Sequence, residues 1–385
     1  MQISRLKLTN WRNFRETDVQ LGSRMFIVGA NASGKSNFLD TFRFMRDIAK
    51  QSGGGLQQAV SDRGGLKKIR CLNARDPSHV GLEFEFTDGS SPESIFTYKL
   101  EITQEVRGNR NPIVKHESAT ANGKKLFSRP DKSDKADPQR LTETYLEQVN
   151  ANKDIRDVVD VFRETVYLHL VPQLLKYSDT LYAANPKADD PFGRTFLDNI
   201  AKTSEGTRKR RLKKIEDAIK CAVPQFRSLQ LDKDATGKPH LKAVYEHWRP
   251  QGANQWEDQF SDGTLRLIGL FWSLLDGNSL LLLEEPELSL HSAVIRQLPS
   301  IIARLAKKRQ VIISTHSADM LLDQGIGGEE VIALTPTDDG TTANSSVDIA
   351  GVREMLENGF SVAEAVLPHT APKSTSTLLQ LSLDV

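Results

Sequence analysis

The sequence predicts an α/β fold, a mixed central sheet organised around a phosphate-binding loop, with an antiparallel β-region and a mainly helical insert beside it. Three observations predict it. Met25-Phe26-Ile27-Val28 is a short apolar run, Gly29-Ala30-Asn31-Ala32-Ser33-Gly34-Lys35-Ser36 follows with the spacing G-x-x-x-x-G-K-S, and Phe38, Leu39, Phe42 and Met45 then recur at helical spacing. Leu280-Leu281-Leu282-Leu283 is a second apolar strand that runs straight into Glu284 and Glu285. Val311-Ile312-Ile313 is a third, and it ends through Ser314 and Thr315 at His316. Strand, glycine loop and helix in that order separate a true phosphate loop from a chance match. In open α/β sheets ligands sit at the carboxyl ends of the strands, where both glutamates and the histidine fall.

Composition sets the frame for these elements. A chain of 385 residues is long enough for one large or two ordinary domains and for a substantial core. A formal net charge of +1 gives no global attraction to nucleic acid or membrane, so any basic surface is local. Two distant cysteines, Cys71 and Cys221, argue against a disulfide framework or zinc site and fit a reducing cytosol. The apolar runs are far shorter than a membrane span, and the first residues lack the apolar block of a signal peptide. The expected location is therefore cytoplasmic.

Ile3, Leu6 and Leu8, then Val19 and Leu21, mark two strands joined through residues 10–15. Residues 51–65, rich in Gly, Gln and Ser, are expected to form a loop. Val80, Leu82, Phe84 and Phe86 alternate, as do Phe96, Tyr98, Leu100 and Ile102, with turn chemistry between them. Residues 122–139 are Lys, Asp, Ser and Pro with few apolar residues, and are expected to be a mobile loop. Helical spacing follows over 141–163, a strand over 166–171, and helix over 198–223. That last helix carries Arg208-Lys209-Arg210-Arg211 with Lys213 and Lys214, which suits a solvated face or a phosphate-backbone contact. Leu265 to Leu274 is an apolar helix, 292–308 is helical, residues 319–322 start a short helix, and Val331-Ile332-Ala333-Leu334 is a last strand. The Ser/Thr-rich tail 368–385 is expected to be poorly ordered.

The chemistry follows from the residue types. Glycines let backbone amides turn inward around phosphate oxygens, and a helix N-terminus adds its positive end. Lys35 can reach the β- and γ-phosphates, and the Ser36 hydroxyl can ligand Mg²⁺. Of the two acids at the strand tip, Glu284 emerges first and suits the metal, while Glu285 suits the attacking water. His316, at another strand tip, suits a γ-phosphate contact.

Taken in order, Gly29–Ser36 as Walker A, Phe260-Ser261-Asp262-Gly263-Thr264 as a degenerate signature, Leu280–Glu287 as Walker B and Ser314-Thr315-His316-Ser317 as the switch segment resemble the ABC-type ATPase set in the RecF/SMC/OLD branch. The chain is thus expected to be a P-loop NTPase of ABC-ATPase type. The stretch Leu283 to His291 resembles the EPE-x-x-LH form of the predicted AAA-type ATPases of bacterial defence and OLD-like systems. The resemblance implies ATP and Mg²⁺ as cofactors, with Gly29, Asn31, Ala32, Ser33, Gly34, Lys35, Ser36 and Asn37 on the phosphates. It adds Arg12 and Asn13 beside them, Ser36 and Glu284 on the metal, Glu285 as base and His316 as γ-phosphate sensor. Ser261 and Gly263 would contact nucleotide held by a second protomer, which implies a head-to-tail homodimer. Departures are plain: Ser-Asp-Gly-Thr where the signature usually has Ser-Gly-Gly-Gln, Glu284 where Asp is usual, and His291 where transporters carry Asp. Gln173 is one candidate for the Q-loop glutamine. No heptad arm separates the motif halves, and about fifty residues after the last strand are too few for a TOPRIM nuclease.

The motifs divide the chain into an N-terminal ATPase lobe (1–104), a variable loop and helical insert (105–235), a C-terminal lobe with signature, Walker B and switch histidine (236–340), and a tail (341–385). The favoured role is an ATPase that controls a separately encoded effector, a nuclease or toxin, in anti-phage defence. The rivals are a RecF-like repair ATPase that binds double-stranded DNA directly, and an ATP-dependent scaffold with little turnover.

Overall fold

The computed structural model describes residues 1–75, 78–89, 95–105, 110–176, 196–248, 250 and 252–372. The chain packs as two compact units, one of Met1–Thr165 with Ser314–Val385, the other of Val166–Ile313.

In the first unit an antiparallel sheet runs in the order β2-β1-β4-β5-β6-β7. Its strands are β1 (Gln2–Trp11), β2 (Phe14–Gln20), β4 (Val80–Thr87), β5 (Phe96–Gln104), β6 (Pro112–Ala121) and β7 (Lys124–Arg129). Alternation buries Leu6, Leu8, Leu82, Phe84, Tyr98 and Leu100 on one face. The phosphate-loop strand β3 (Arg24–Gly29) is buried from Met25 onward, which explains its unbroken apolar run. It pairs in parallel with β14 (Val331–Thr337), Phe26 opposite Val331, and β14 pairs antiparallel with β15 (Gly340–Ser345). The helix Lys35–Ala49 lays its aromatic stripe on this core. Trp11 meets Phe44 at 5.1 Å, Phe42 meets Phe84 at 6.0 Å, and Phe84 meets Phe162 of the helix Arg156–Arg163 at 4.9 Å. Burying each such ring stabilises the fold by about 1.5–3 kcal/mol.

Two expected loops are ordered elements. Within 51–65, Leu56–Ser61 is a helix, because Gly55 takes a left-handed φ of 102° and the Glu147 carboxylate accepts from the Leu56 amide at 3.1 Å. Within 122–139, Asn122 (φ 47°) and Gly123 (φ 74°) make a two-residue turn that pairs Ala121 with Lys124 and launches β7. Arg129 then buries its guanidinium between Glu117 and Asp134, each 3.0 Å away, and the helix Lys132–Ala136 follows. The polar composition there is an internal ion network, so the segment is packed rather than mobile. The antiparallel sheet thus runs past residue 104 through β6 and β7. The tail begins as the end of the helix Val362–Thr370, capped by Ser361; residues 373–385 lie outside the described residues.

In the second unit β8 (Val166–Leu168) pairs in parallel with β12 (Leu281–Glu284), Leu281 opposite Val166. A separate meander, β9 (Phe226–Lys233), β10 (Pro239–Tyr245) and β11 (Ala253–Trp256), packs with the helix Glu205–Ala222. The apolar helix Asp262–Leu275 buries Leu265, Leu267, Ile268 and Leu270. The strand β13 (Val311–Thr315) is buried throughout and carries the boundary between the units. Among the described residues no helix is long and apolar enough to cross a membrane.

Candidate functional site

The candidate residues fall into two sets, one in each unit. The first surrounds Gly29–Ser36. Ala32 (φ 62°) and Gly34 (φ 101°) adopt left-handed backbone, so the loop coils back on itself before the helix begins at Lys35. Gly34 is the N-cap, so no side chain caps this helix and no acid lies in its first turn. Lys35 is buried, and its Nζ donates to the carbonyls of Gly29 at 2.9 Å and Ala30 at 3.2 Å, folding the ammonium across the loop mouth. Asn31, Ala32 and Ser36 are exposed, whereas Ser33 is fully buried and its hydroxyl lacks a hydrogen-bond partner. Gly29 has no room for a side chain, since a Cβ would meet Ser33 Oγ and lie 2.9 Å from the Leu334 carbonyl.

Distant residues hold this loop. Arg12 and Asn13 are the two-residue turn between β1 and β2, with Trp11 paired to Phe14. Asn13 Nδ2 donates to the Ser33 carbonyl at 2.9 Å and to Thr341 Oγ1 at 2.7 Å, while its Oδ1 accepts from Asn37 Nδ2 at 2.8 Å. Thr341 Oγ1 also donates to the Ser33 carbonyl at 3.0 Å. A side chain on Gly34 would collide with the Asn13 amide. Asn13 and Asn37 are therefore brought together under the loop. Arg12 has other engagements: its Nη2 donates to Asp40 at 3.0 Å and its Nη1 to the Lys68 carbonyl at 3.2 Å. Asp40 is also bonded by Arg63, at 2.8 Å. Burial works to raise the Asp40 pKa, but Arg63, then Arg43 and Arg12, outweigh it and hold the carboxyl below its ordinary value. His316 follows β13 directly and is exposed, and Ser317 caps the helix Ala318–Leu321 behind it.

The second set lies in the other unit. Glu284 ends β12, and the Tyr167 hydroxyl on β8 donates to its carboxylate, so the neighbouring strand fixes the rotation of this acid. The next residue, Glu285, takes φ 45°, a left-handed conformation costly for a side-chain-bearing residue and one that gathers at functional sites. Ser261 caps the helix Asp262–Leu275, its Oγ accepting from the Thr264 amide at 3.2 Å. Gly263 presses on the loop after the strand tip, where a Cβ would lie 2.7 Å from the Ser289 carbonyl. His291 caps the next helix through Nδ1. Gln173 Nε2 reaches Asp262 at 2.7 Å, and Lys176 Nζ reaches it at 2.8 Å.

Sequence reasoning missed Tyr167, Thr341, Asp40, Lys176 and Arg266. Burial lowers the Arg266 pKa, against the opposing charges of Asp262, Glu287 and Glu285. The basic run is largely committed within its own unit. Arg208 caps the preceding helix on the carbonyls of Ala201 and Thr203, Arg211 pairs with Asp276 at 2.7 Å, and Lys213 pairs with Glu216 at 2.6 Å. That agrees better with a braced helix than with a phosphate track.

Residues 24–323 match a family model described as "AAA domain, putative AbiEii toxin, Type IV TA system". No curated protein matches the sequence. Among solved structures, the Smc head bound to the C-winged helix domain of ScpA is similar, with 14% identity, coverage of 89% of this chain and 98% of that one, and a TM-score of 0.55. An SMC head domain from Thermotoga maritima follows at 14% identity, with 90% and 99% coverage and a TM-score of 0.46. At such identity the likeness is one of fold, and the first of the two carries it: a P-loop NTPase of SMC-head type, with a mixed sheet and an antiparallel sheet.

Proposed function

The chain belongs to the AAA-domain P-loop ATPase family associated with type IV toxin–antitoxin systems, and we propose that it binds and hydrolyses ATP with Mg²⁺ and that two copies close head-to-tail on the nucleotide to control a separately encoded effector. One observation carries this reading: a helix N-terminus without side-chain cap or acid, behind a loop of left-handed residues, with a buried lysine folded across it. That arrangement suits a chain of phosphates. The loop amides and Lys35 hold the phosphates. Gly29, Asn31, Ala32, Ser33 and Gly34 shape the loop, and Asn13 with Asn37 fixes it from below. Arg12, already engaged by Asp40, braces the helix.

The likeness of their motifs to Walker A and Walker B assigns Ser36 and Glu284 to Mg²⁺, an ion that would offset phosphate charge and orient the reacting oxygens. Tyr167 keeps the Glu284 carboxylate turned for that task. Glu285 accepts the proton of the attacking water, and its fixed left-handed backbone limits how far the carboxylate can wander. His316 donates a hydrogen bond to the γ-phosphate. The Ser261 hydroxyl and the Gly263 amide meet the γ-phosphate of a second copy, so closure depends on nucleotide. The family's description, with its putative toxin and type IV toxin–antitoxin system, supports a link to such a system; the separately encoded effector, a nuclease or toxin in a defence setting, is part of our proposal.

Light scattering tests the pair of claims together. With Mg–ATP, Glu285→Gln should accumulate a dimer that Lys35→Ala in the same chain prevents. A Glu285→Gln chain that turns ATP over like the parent would overturn the assignment of the base.

A further inference from the structure

The signature of this chain carries an acid where a phosphate has to approach. Asp262 is the first residue of its helix, directly after the Ser261 cap. A carboxylate there favours the helix itself, yet it repels any phosphate brought to the same amides. Gly263, the next residue, has no room for a side chain, since a Cβ there would lie 2.7 Å from the Ser289 carbonyl. The charge is compensated in place. Lys176 Nζ sits 2.8 Å from Asp262 Oδ1 and Gln173 Nε2 sits 2.7 Å from Oδ2, so a cation takes one oxygen and a neutral amide the other. The Lys176 side chain is only 16% exposed and that of Asp262 34%, so water screens this pair less than an open surface pair.

We propose that Lys176 is a positioning residue of the signature: it neutralises Asp262 and, with Gln173, fixes its carboxylate, making the helix N-terminus acceptable to the nucleotide phosphate of a second copy. The inference rests on the head-to-tail reading above. Without Lys176 the carboxylate faces the incoming phosphate with only the neutral Gln173 amide bonded to it and the charge of Arg266, which Glu285 and Glu287 share, acting on it through space. Without the carboxylate, Lys176 becomes dispensable. Two single changes and their combination therefore have a distinctive pattern that a merely structural ion pair would not give.

The test is the dimer dissociation constant of the full chain, read by sedimentation velocity with Mg²⁺ and adenylyl imidodiphosphate. Lys176→Ala should weaken dimerisation by about tenfold or more, since an uncompensated like charge at an interface is costly. Asp262→Asn should leave it near the parent, and adding Asp262→Asn to Lys176→Ala should restore it. Lys176→Arg should keep most of it. Nucleotide affinity of the separate protomer and the melting temperature should change little in any of them. A parent that dimerises, with Lys176→Ala unchanged or not rescued by Asp262→Asn, overturns this proposal alone. A parent that does not dimerise with the analogue overturns both this proposal and the head-to-tail reading.

Discussion

Two helices present their N-termini as candidate phosphate sites, and they are built oppositely. The helix Lys35–Ala49 starts at a left-handed glycine, with no side-chain cap and no acid in its first turn. The helix Asp262–Leu275 starts at a serine whose hydroxyl caps the Thr264 amide, with Asp262 directly behind it. An uncapped N-terminus leaves its amides for a ligand, whereas a capped and acid-bearing one has partners of its own. The first helix has an acid too, Asp40, but it lies beyond the first turn and Arg63, Arg43 and Arg12 surround it. The difference teaches that the two termini are built for different tasks: on the function proposed above, the phosphate loop binds nucleotide unaided, while the signature needs a second copy and its own lysine.

The sharpest way to break the comparison is Lys35→Ala, which removes the buried cation from the first site. Turnover should fall about a hundredfold or more, because loss of a single well-placed donor on developing charge costs that much. Next comes Asn13→Ala, which strips the Ser33 carbonyl and Thr341 of one partner. Thermal denaturation should show a loss of about 1–3 kcal/mol, the cost of three lost hydrogen bonds with Thr341 still serving the Ser33 carbonyl, and nucleotide titration should show weaker binding. Ser261→Ala is smaller. It should cost about 1 kcal/mol of stability through the lost cap, and calorimetry should find the affinity of the separate protomer for ATP unchanged. A drop in that affinity would mean the two termini are not independent.

The smallest effect is on pH. The Asp40 pKa lies below its ordinary 3.8 in the folded chain. Its contribution to stability is therefore complete above that ordinary value and is lost as pH falls through the folded one. Acid titration of the melting temperature should show this loss below about pH 4, and Asp40→Asn should remove that part of the slope. A slope unchanged by the substitution would remove Asp40 from the account.

The phosphate loop was legible because strand, glycines and helix are contiguous: residues 25–45 contain the whole local pattern. Its supports were not. Asn13 and Thr341 meet under Ser33 although 328 residues separate them, and nothing in either neighbourhood announces the other. The helix Leu56–Ser61 was hidden for a similar reason, since its first amide is satisfied by Glu147, 91 residues along the chain. The β6–β7 hairpin had a local signal in Asn122-Gly123, which composition masked. Charges usually prefer water, so a polar stretch suggests a loop; here Glu117 and Asp134 take up Arg129 and turn the same residues into core. The strand-tip acids could be read, but the tyrosine that orients Glu284 comes from a strand far away in sequence and only parallel pairing brings it there.

The measurement that tests the central claim most directly is steady-state ATP hydrolysis by the full chain beside Lys35→Ala, with and without duplex DNA. The account predicts Lys35-dependent turnover that DNA leaves unchanged. Turnover that survives Lys35→Ala, or none in the parent, would contradict it; stimulation by DNA would transfer the weight to direct DNA engagement.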